Sequence, residues 1–317
     1  CRQWRDEPAF KMNSPLTIVG LGEAVFDVFP DKEVLGGTSL NVAVQAHQLL
    51  EPMGGQGVLL SRIGSDALGE RLQREFRERN LPLQHVQVDA LKPTGQVLVQ
   101  FIDGAPRYEI VVDTAWDHLQ FGEAEAALAP ACHAVSFGSM SQRHPVAHEA
   151  TQAFLTDAKE ALKIFDVNLR MDLFTAEVLD EGCRVAGLVK LNDEEIDPVA
   201  DLLQLPAGES RMRVEVLREQ YDLEAVIFTR GKAGTAACTT DGWLEGEPAS
   251  FPAAENADSV GAGDACTAAL LLGRLLGREW QATLDLANRH AAYVASQPSA
   301  TPVLPSEVWA SYELNPV

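Results

Sequence analysis

The sequence predicts an α/β fold of three layers, α/β/α, with a mostly parallel central sheet and a small β lid. Three observations lead there. Short β-branched runs alternate with longer stretches of helical periodicity. The strand-like runs are apolar throughout, as expected for a parallel sheet covered on both faces. Two further segments alternate with period two, and no crossover helix follows them at once.

Taken in order, 16–20 reads as a first buried strand and 40–50 carries apolar residues at helical spacing. Residues 57–61 form a second strand and 67–79 a charged amphipathic helix. The alternation resumes with strand 133–137, helix 145–162, and strands 163–167, 188–192 and 225–229. Helices 263–276 and 280–296 close the pattern. The exceptions, 26–35 and 94–112, contain turn residues such as Asp103-Gly104 and read as a small antiparallel flap. One domain over 12–317 is expected, its discontinuous lid drawn from about 26–36 and 94–112. Residues 1–11 look unlike the rest and read as an extension outside the domain.

Composition narrows the function. The chain of 317 residues is 46% hydrophobic and 22% charged, ordinary for a globular protein with a sizeable core. No apolar run reaches the length needed to cross a bilayer. The net charge of −21 repels nucleic acid and anionic membrane, which removes both as expected partners. Cys1, Cys132, Cys183, Cys238 and Cys266 are odd in number and form no C-x-x-C pair. They make neither a disulfide framework nor a zinc site, and a reducing cytoplasm is the expected location.

Ligands of such a sheet sit beyond the carboxyl ends of its strands. Asp27, Asn168, Asn192 and Thr229 each fall at or just after a strand end. The most informative stretch is Asp258-Ser-Val-Gly-Ala-Gly-Asp264, which opens a helix. Gly261 and Gly263 remove side chains where the backbone turns or approaches a ligand. The free N–H groups of a helix start, with the positive dipole end, cradle an anion. A carboxylate at Asp264, beside such a cradle, can take the proton of an attacking hydroxyl while the amides of 261–264 hold a phosphoryl group. Taken alone, the four residues Gly261, Ala262, Gly263 and Asp264 fit better with an ordinary loop whose acid favours the helix dipole.

The motif and its surroundings shift that balance. Asp258-Ser259 followed by G-A-G-D resembles the second signature of the ribokinase-like (PfkB) carbohydrate kinases, with Ser259 for the usual threonine. The resemblance extends over nearly the whole chain after Met12, and feels closest to bacterial fructokinases. Gly22-Glu-Ala-Val-Phe-Asp27 resembles their G-E-x-x-x-D opening, which implies that Asp27 binds sugar hydroxyls. Gly36-Gly37 with Asn41 matches G-G-x-x-x-N, implying a lid hinge and a sugar contact. Gly64-Ser-Asp66 with Gly69 matches G-x-D-x-x-G, and Asp166-Val-Asn168-Leu-Arg170 resembles D-P-N-x-R, which implies Arg170 near sugar or phosphates. Asn192 and Glu195 match N-x-x-E, implying phosphate and Mg²⁺ binding, with Glu195 acting through water. A helix-capping Asn followed by first-turn acids explains that pair equally well. Thr229, Gly231 and Gly234 match the T-x-G-x-x-G nucleotide loop, and Asn288 falls where the family has an asparagine near adenine. Asp258 and the Val260 carbonyl resemble a K⁺ site used by part of the family.

The resemblance therefore implies an ATP-dependent sugar kinase using Mg²⁺, with fructose or a related ketose as acceptor and Asp264 as general base. Ribose, 2-keto-3-deoxygluconate and nucleosides are the alternative acceptors. A homodimer paired through the lid is a further expectation. Two other classes were weighed. Gly20-Leu-Gly22 fails the dinucleotide fingerprint, because Val25 holds the third glycine position, and no Walker A loop occurs. A non-catalytic sugar- or nucleotide-binding protein on the same scaffold has no need of the intact Asp264. An acidic chain that binds ATP must also build a local positive site, which helix starts and Mg²⁺ supply with few lysines.

Overall fold

The structure is a computed structural model that describes residues 15–102 and 105–313. The extension at 1–11 and the Asp103-Gly104 turn lie outside the described residues. The strands are β1 (Thr17–Leu21), β2 (Val25–Val28), β3 (Glu33–Gly36), β4 (Gln56–Gly64), β5 (Val86–Asp89), β6 (Gly95–Ile102) and β7 (Ala105–Ile110). They continue with β8 (Ala134–Gly138), β9 (Leu162–Asp166), β10 (Leu188–Asn192), β11 (Ala225–Thr229), β12 (Thr235–Thr239) and β13 (Gly242–Glu245). The helices are α1 (Thr38–Leu50), α2 (Ala67–Glu78), α3 (Glu123–Leu128), α4 (Pro145–Asp157) and α5 (Ala176–Val185). The remainder are α6 (Ile196–Leu202), α7 (Ser210–Gln220), α8 (Ala262–Leu275), α9 (Trp280–Val294) and α10 (Ser306–Ala310).

Nine strands form one sheet in the order β13-β12-β11-β10-β9-β8-β1-β4-β5. From β5 to β11 every neighbouring pair is parallel, and only β12 and β13 run antiparallel at the edge. Successive side chains of a strand leave by opposite faces. Val19 and Leu21 join Phe137, Phe165 and Leu191 under α4 to α7, while Ile18, Ile164, Leu188 and Ile227 pack under α1, α8 and α9. This is the three-layer arrangement expected. β1 is flanked by β4 on one side and β8 on the other, so the chain reverses its direction of travel across the sheet there. A crevice opens at such a switch point, beyond the carboxyl ends of the strands.

The second sheet has the order β3-β2-β6-β7. Its hairpins β2–β3 and β6–β7 are antiparallel, but β2 and β6 run parallel, so the flap is mixed rather than wholly antiparallel. Side chains from the body fasten the chain where it enters and leaves this sheet. Asp66 accepts from Thr94 N at 2.8 Å, from Thr94 Oγ1 at 2.7 Å and from Gly69 N at 2.9 Å. Arg143 donates to both carboxylate oxygens of Asp117, at 2.7 and 2.8 Å, and to the Val111 carbonyl at 2.7 Å. Its guanidinium lies 4.0 Å over the Trp116 ring.

Helix α1 lies flush on β1 and β4 because small residues face it. A Cβ at Gly20 would fall 2.0 Å from the Ser39 carbonyl oxygen, which no rotamer change relieves, since the obstacle is backbone. Gly20→Ala should therefore lift α1 off the sheet and cost about 1–3 kcal/mol, the usual range for overpacking. Urea unfolding of the variant measures this, and an unchanged midpoint would show that α1 is not held at that distance.

Candidate active site

Gly261 caps α8 at φ 80°, a conformation that favours glycine, and a Cβ there would meet the Ala300 carbonyl at 2.5 Å. The amides of Ala262, Gly263 and Asp264 form the first turn, where helices leave their donors without intrahelical acceptors, and Ala262 N donates instead to the Ser259 carbonyl at 3.2 Å. Asp264 is partly buried. It accepts a hydrogen bond of 2.7 Å from Nδ2 of Asn41, in the first turns of α1. Burial pushes its carboxyl up to about 7, and the carboxylates of Asp166 and Glu23 push the same way against the Asn41 bond and the Lys190 charge.

Two carboxylates that the sequence reading left without a role hold this centre. Glu23 is buried and accepts from Thr38 N at 2.9 Å and from Ser39 Oγ at 3.4 Å, so it fixes the start of α1. Its carboxyl is raised, chiefly by burial. Asp166 ends β9 and accepts from Lys190 Nζ at 2.6 Å and Thr267 Oγ1 at 3.1 Å. Asp166 ends β9, Lys190 is a charge in the middle of apolar β10, and Glu23 falls in the link between β1 and β2, so no shared local pattern singles the three out.

Most of the other residues singled out from the sequence fall on the small sheet, on the start of α1 and on the turns after β9, β10 and β11. Asp27 is half-buried on β2, and burial followed by repulsion from Asp258 raises its carboxyl. Gly36 ends β3 opposite Val25, and Gly37, at φ 110°, caps α1. Asn168, at φ 40°, donates to Thr38 Oγ1 at 2.7 Å, while Arg170 donates to the adjacent Leu169 carbonyl at 3.0 Å. Glu195 is buried, its two oxygens accepting from Leu169 N and Asn192 N at 2.9 Å each. Asn192 Oδ1 in turn accepts from Glu194 N and Glu195 N at 2.8 and 3.0 Å. The pair thus caps its own turn, and each Glu195 oxygen keeps a second lone pair. A cavity of about 330 Å³ opens beside Leu169, Arg170, Asn192 and Glu195. A larger one, about 560 Å³, is lined by Asp117, Arg143, His144 and Phe174 and contains none of the residues singled out from the sequence.

Gly231 and Gly234 bound a single turn after Thr229, with φ of 53° and 81°. Asn288 is buried behind it, accepting from Thr235 N at 2.9 Å and donating to the Glu247 carbonyl at 3.0 Å. Asp258 accepts from Val260 N at 3.0 Å, a bond that folds the loop just ahead of α8. Among the described residues no three His, Cys, Asp or Glu are placed to hold a metal ion together, and no helix is long and apolar enough to cross a membrane.

The nine-stranded, mostly parallel sheet between helix layers, with a small second sheet beside it, is the ribokinase-like fold. The pfkB family carbohydrate kinase model matches residues 18–307, and the chain belongs to that family. The fructokinase of Escherichia coli is 26% identical over 322 residues, covering 90% of this chain and 95% of its own. The structure of a Xylella fastidiosa fructokinase with bound ATP superposes with a TM-score of 0.79 at 22% identity, over 94% of this chain and 98% of that one. A Vibrio cholerae O395 fructokinase double mutant, bound to fructose, ADP and potassium, gives 0.73 at 23% identity over 94% and 98%. The protein is an ATP-dependent sugar kinase.

The buried acid has a thermodynamic signature. An unperturbed aspartate loses its proton near 3.8, but folded Asp264 keeps its proton to about 7. Between those values the folded state binds more protons than the unfolded chain, so this group erodes stability as pH rises. Asp264→Asn should be more stable than the parent at pH 8 by on the order of 2 kcal/mol, about half the full shift because the carboxyl keeps some solvent contact. At pH 4 the difference should nearly vanish. Urea unfolding at the two pH values checks it, and a variant no more stable at pH 8 would contradict the burial of this charge.

Proposed function

We propose that Asp264 is the general base of phosphoryl transfer from ATP to a hydroxyl of fructose or a related ketose. The observation that carries this reading is the Asn41–Asp264 contact at the first turn of α8. It fixes a carboxylate that gains its proton near neutral pH beside amides suited to a phosphoryl group. The sugar hydroxyl oxygen forms the new bond to the γ-phosphorus as the bond to the bridging oxygen of ADP breaks. The hydroxyl proton passes to Asp264, and ADP leaves with the electrons of the broken bond. The amides of Gly261, Ala262, Gly263 and Asp264 accept the charge that develops on the transferring group.

Asp27, Gly36, Gly37, Asn41 and Arg170 form the sugar side of this reading. The Vibrio cholerae relative crystallised with fructose and the name of the Escherichia coli relative support a ketose there. Asn192, Thr229, Gly231, Gly234 and Asn288 form the nucleotide side. Mg²⁺ arriving with ATP would neutralise phosphate charge, and Glu195 and Asn192 offer the hard oxygen donors that suit its water shell. Asp258 and the Val260 carbonyl are the proposed K⁺ ligands, supported by the potassium in that same relative.

Asp264→Asn keeps the shape and the Asn41 contact but cannot take the proton. Its kcat should fall by about 10²–10⁴-fold with little change in ATP affinity. Initial rates of ADP release with a ketose panel measure it, and near-normal turnover would remove Asp264 as base. Asp27→Ala loses a charge-assisted contact worth roughly 1.5–3 kcal/mol, so the sugar KM should rise at least about tenfold while the ATP KM stays put. Equal changes in both KM values would refute the sugar role.

A further inference from the structure

Behind the cradle lies a charge that no motif singled out. Lys190 is the most deeply buried lysine or arginine among the described residues, at 6% exposure. Strand alternation on β10 puts it on the face shared by Leu188, which packs under α8. Its cross-strand partner is Asp166 of β9, and the ammonium lies 2.6 Å from Asp166 Oδ2. Thr267, one turn into α8, stands 3.1 Å from both Asp166 Oδ2 and the Gly263 carbonyl, tying the pair to the first turn of the helix.

The ammonium also lies 3.6 Å from where a Cβ of Gly263 would be. Gly263 is exposed on its outer side, so the glycine leaves nothing but its own backbone between Lys190 and the cradle. Asp166 Oδ2 is held from one turn deeper in α8, by Thr267. A buried ion pair contributes little net stability, because desolvation offsets the attraction. The retained charges are better accounted for by what the cradle needs. It must receive the polyphosphate of ATP in a chain of net charge −21, amid Glu23, Asp27, Asp258 and Glu195.

We propose that Lys190, held by Asp166, supplies the positive charge behind Gly263 that stabilises the transferring phosphoryl group. The inference rests on the reading that the first turn of α8 holds that group. As the sugar oxygen bonds to phosphorus and the bond to ADP breaks, charge spreads over the equatorial oxygens, and a fixed cation in a water-poor site acts on it strongly. The effect belongs to the transition state, so it appears in kcat more than in either KM.

The test uses Lys190→Met, which keeps length and loses charge, and the double variant Asp166→Asn with Lys190→Met, which leaves no unpaired buried carboxylate. Thermal unfolding and steady-state kinetics are measured on both, alongside Asp264→Asn. The expected result is a kcat loss of about 10²-fold in each Lys190 variant, with the sugar KM within about threefold of the parent. If Lys190→Met does not fold, the double variant decides alone. A folded double variant with kcat within about threefold of the parent would overturn the proposal, because the pair would then be only structural. If Asp264→Asn is slow while both Lys190 variants match the parent, the inference falls and the cradle reading stands. If Asp264→Asn itself turns over normally, that reading fails first.

Discussion

The contact on which the site depends joins residues 223 positions apart, Asn41 on α1 and Asp264 on α8. Neither helix can shift without breaking it. α1 is set by its close seat on β1 and β4 and by Glu23 at its first amides. α8 is set by Gly261 against Ala300 and by Thr267 against Asp166. Even the far end of this assembly is braced. Gln45 on α1 reaches the Ala300 carbonyl and His290 on α9, and His290 in turn meets the Tyr312 hydroxyl at 2.8 Å. A core of this kind transmits small displacements, since close-packed interiors have little slack.

The electrostatics of the centre follow from that rigidity. Glu23, Asp166, Glu195 and Asp264 are gathered at one end of the sheet, and burial raises Glu23, Glu195 and Asp264. Water would screen them, but the packing that positions them excludes it. Backbone amides meet Glu23 and Glu195, an ion pair meets Asp166, and an amide side chain meets Asp264. Asp264 accepts a hydrogen bond from a neutral donor, and burial pushes its carboxyl up to about 7 against that bond and the Lys190 charge.

Most of the fold was legible because parallel strands are nearly pure in composition. Strands 188–192 and 225–229 coincide with β10 and β11, and the helix starts at 67, 145 and 280 agree. Helix 145–162 runs only to Asp157, because Lys159, Glu160 and Ala161 continue the helical pattern while the chain must turn into β9. No glycine or proline announces that stop. The edge hairpin β12–β13 escaped notice, since Thr-Ala-Ala-Cys-Thr carries little strand propensity and is buried by its position in the sheet. Among site residues, glycine spacings exposed the turns at Gly231–Gly234 and Gly261–Gly263. Lys190 and Asp166 stayed hidden because their partnership exists only in the register of β9 against β10, which no local pattern encodes.

The attachment of the small sheet has a separate consequence. Its chain crossings are fastened by Glu23 to Thr38, by Asp66 to Thr94 and by Arg143 to Val111 and Asp117. None of these fastenings uses a side chain from the strands themselves. The strands add their own hold, since Phe26 of β2 is buried in a cluster with Leu40, Ala43 and Phe76, and Glu33 of β3 pairs with Arg71. The small sheet is thus held to the body both at its chain crossings and through one face of β2. Sequence change is tolerated best at outward positions such as Tyr108 of β7, at 55% exposure, while β2 is bound by the core beneath it.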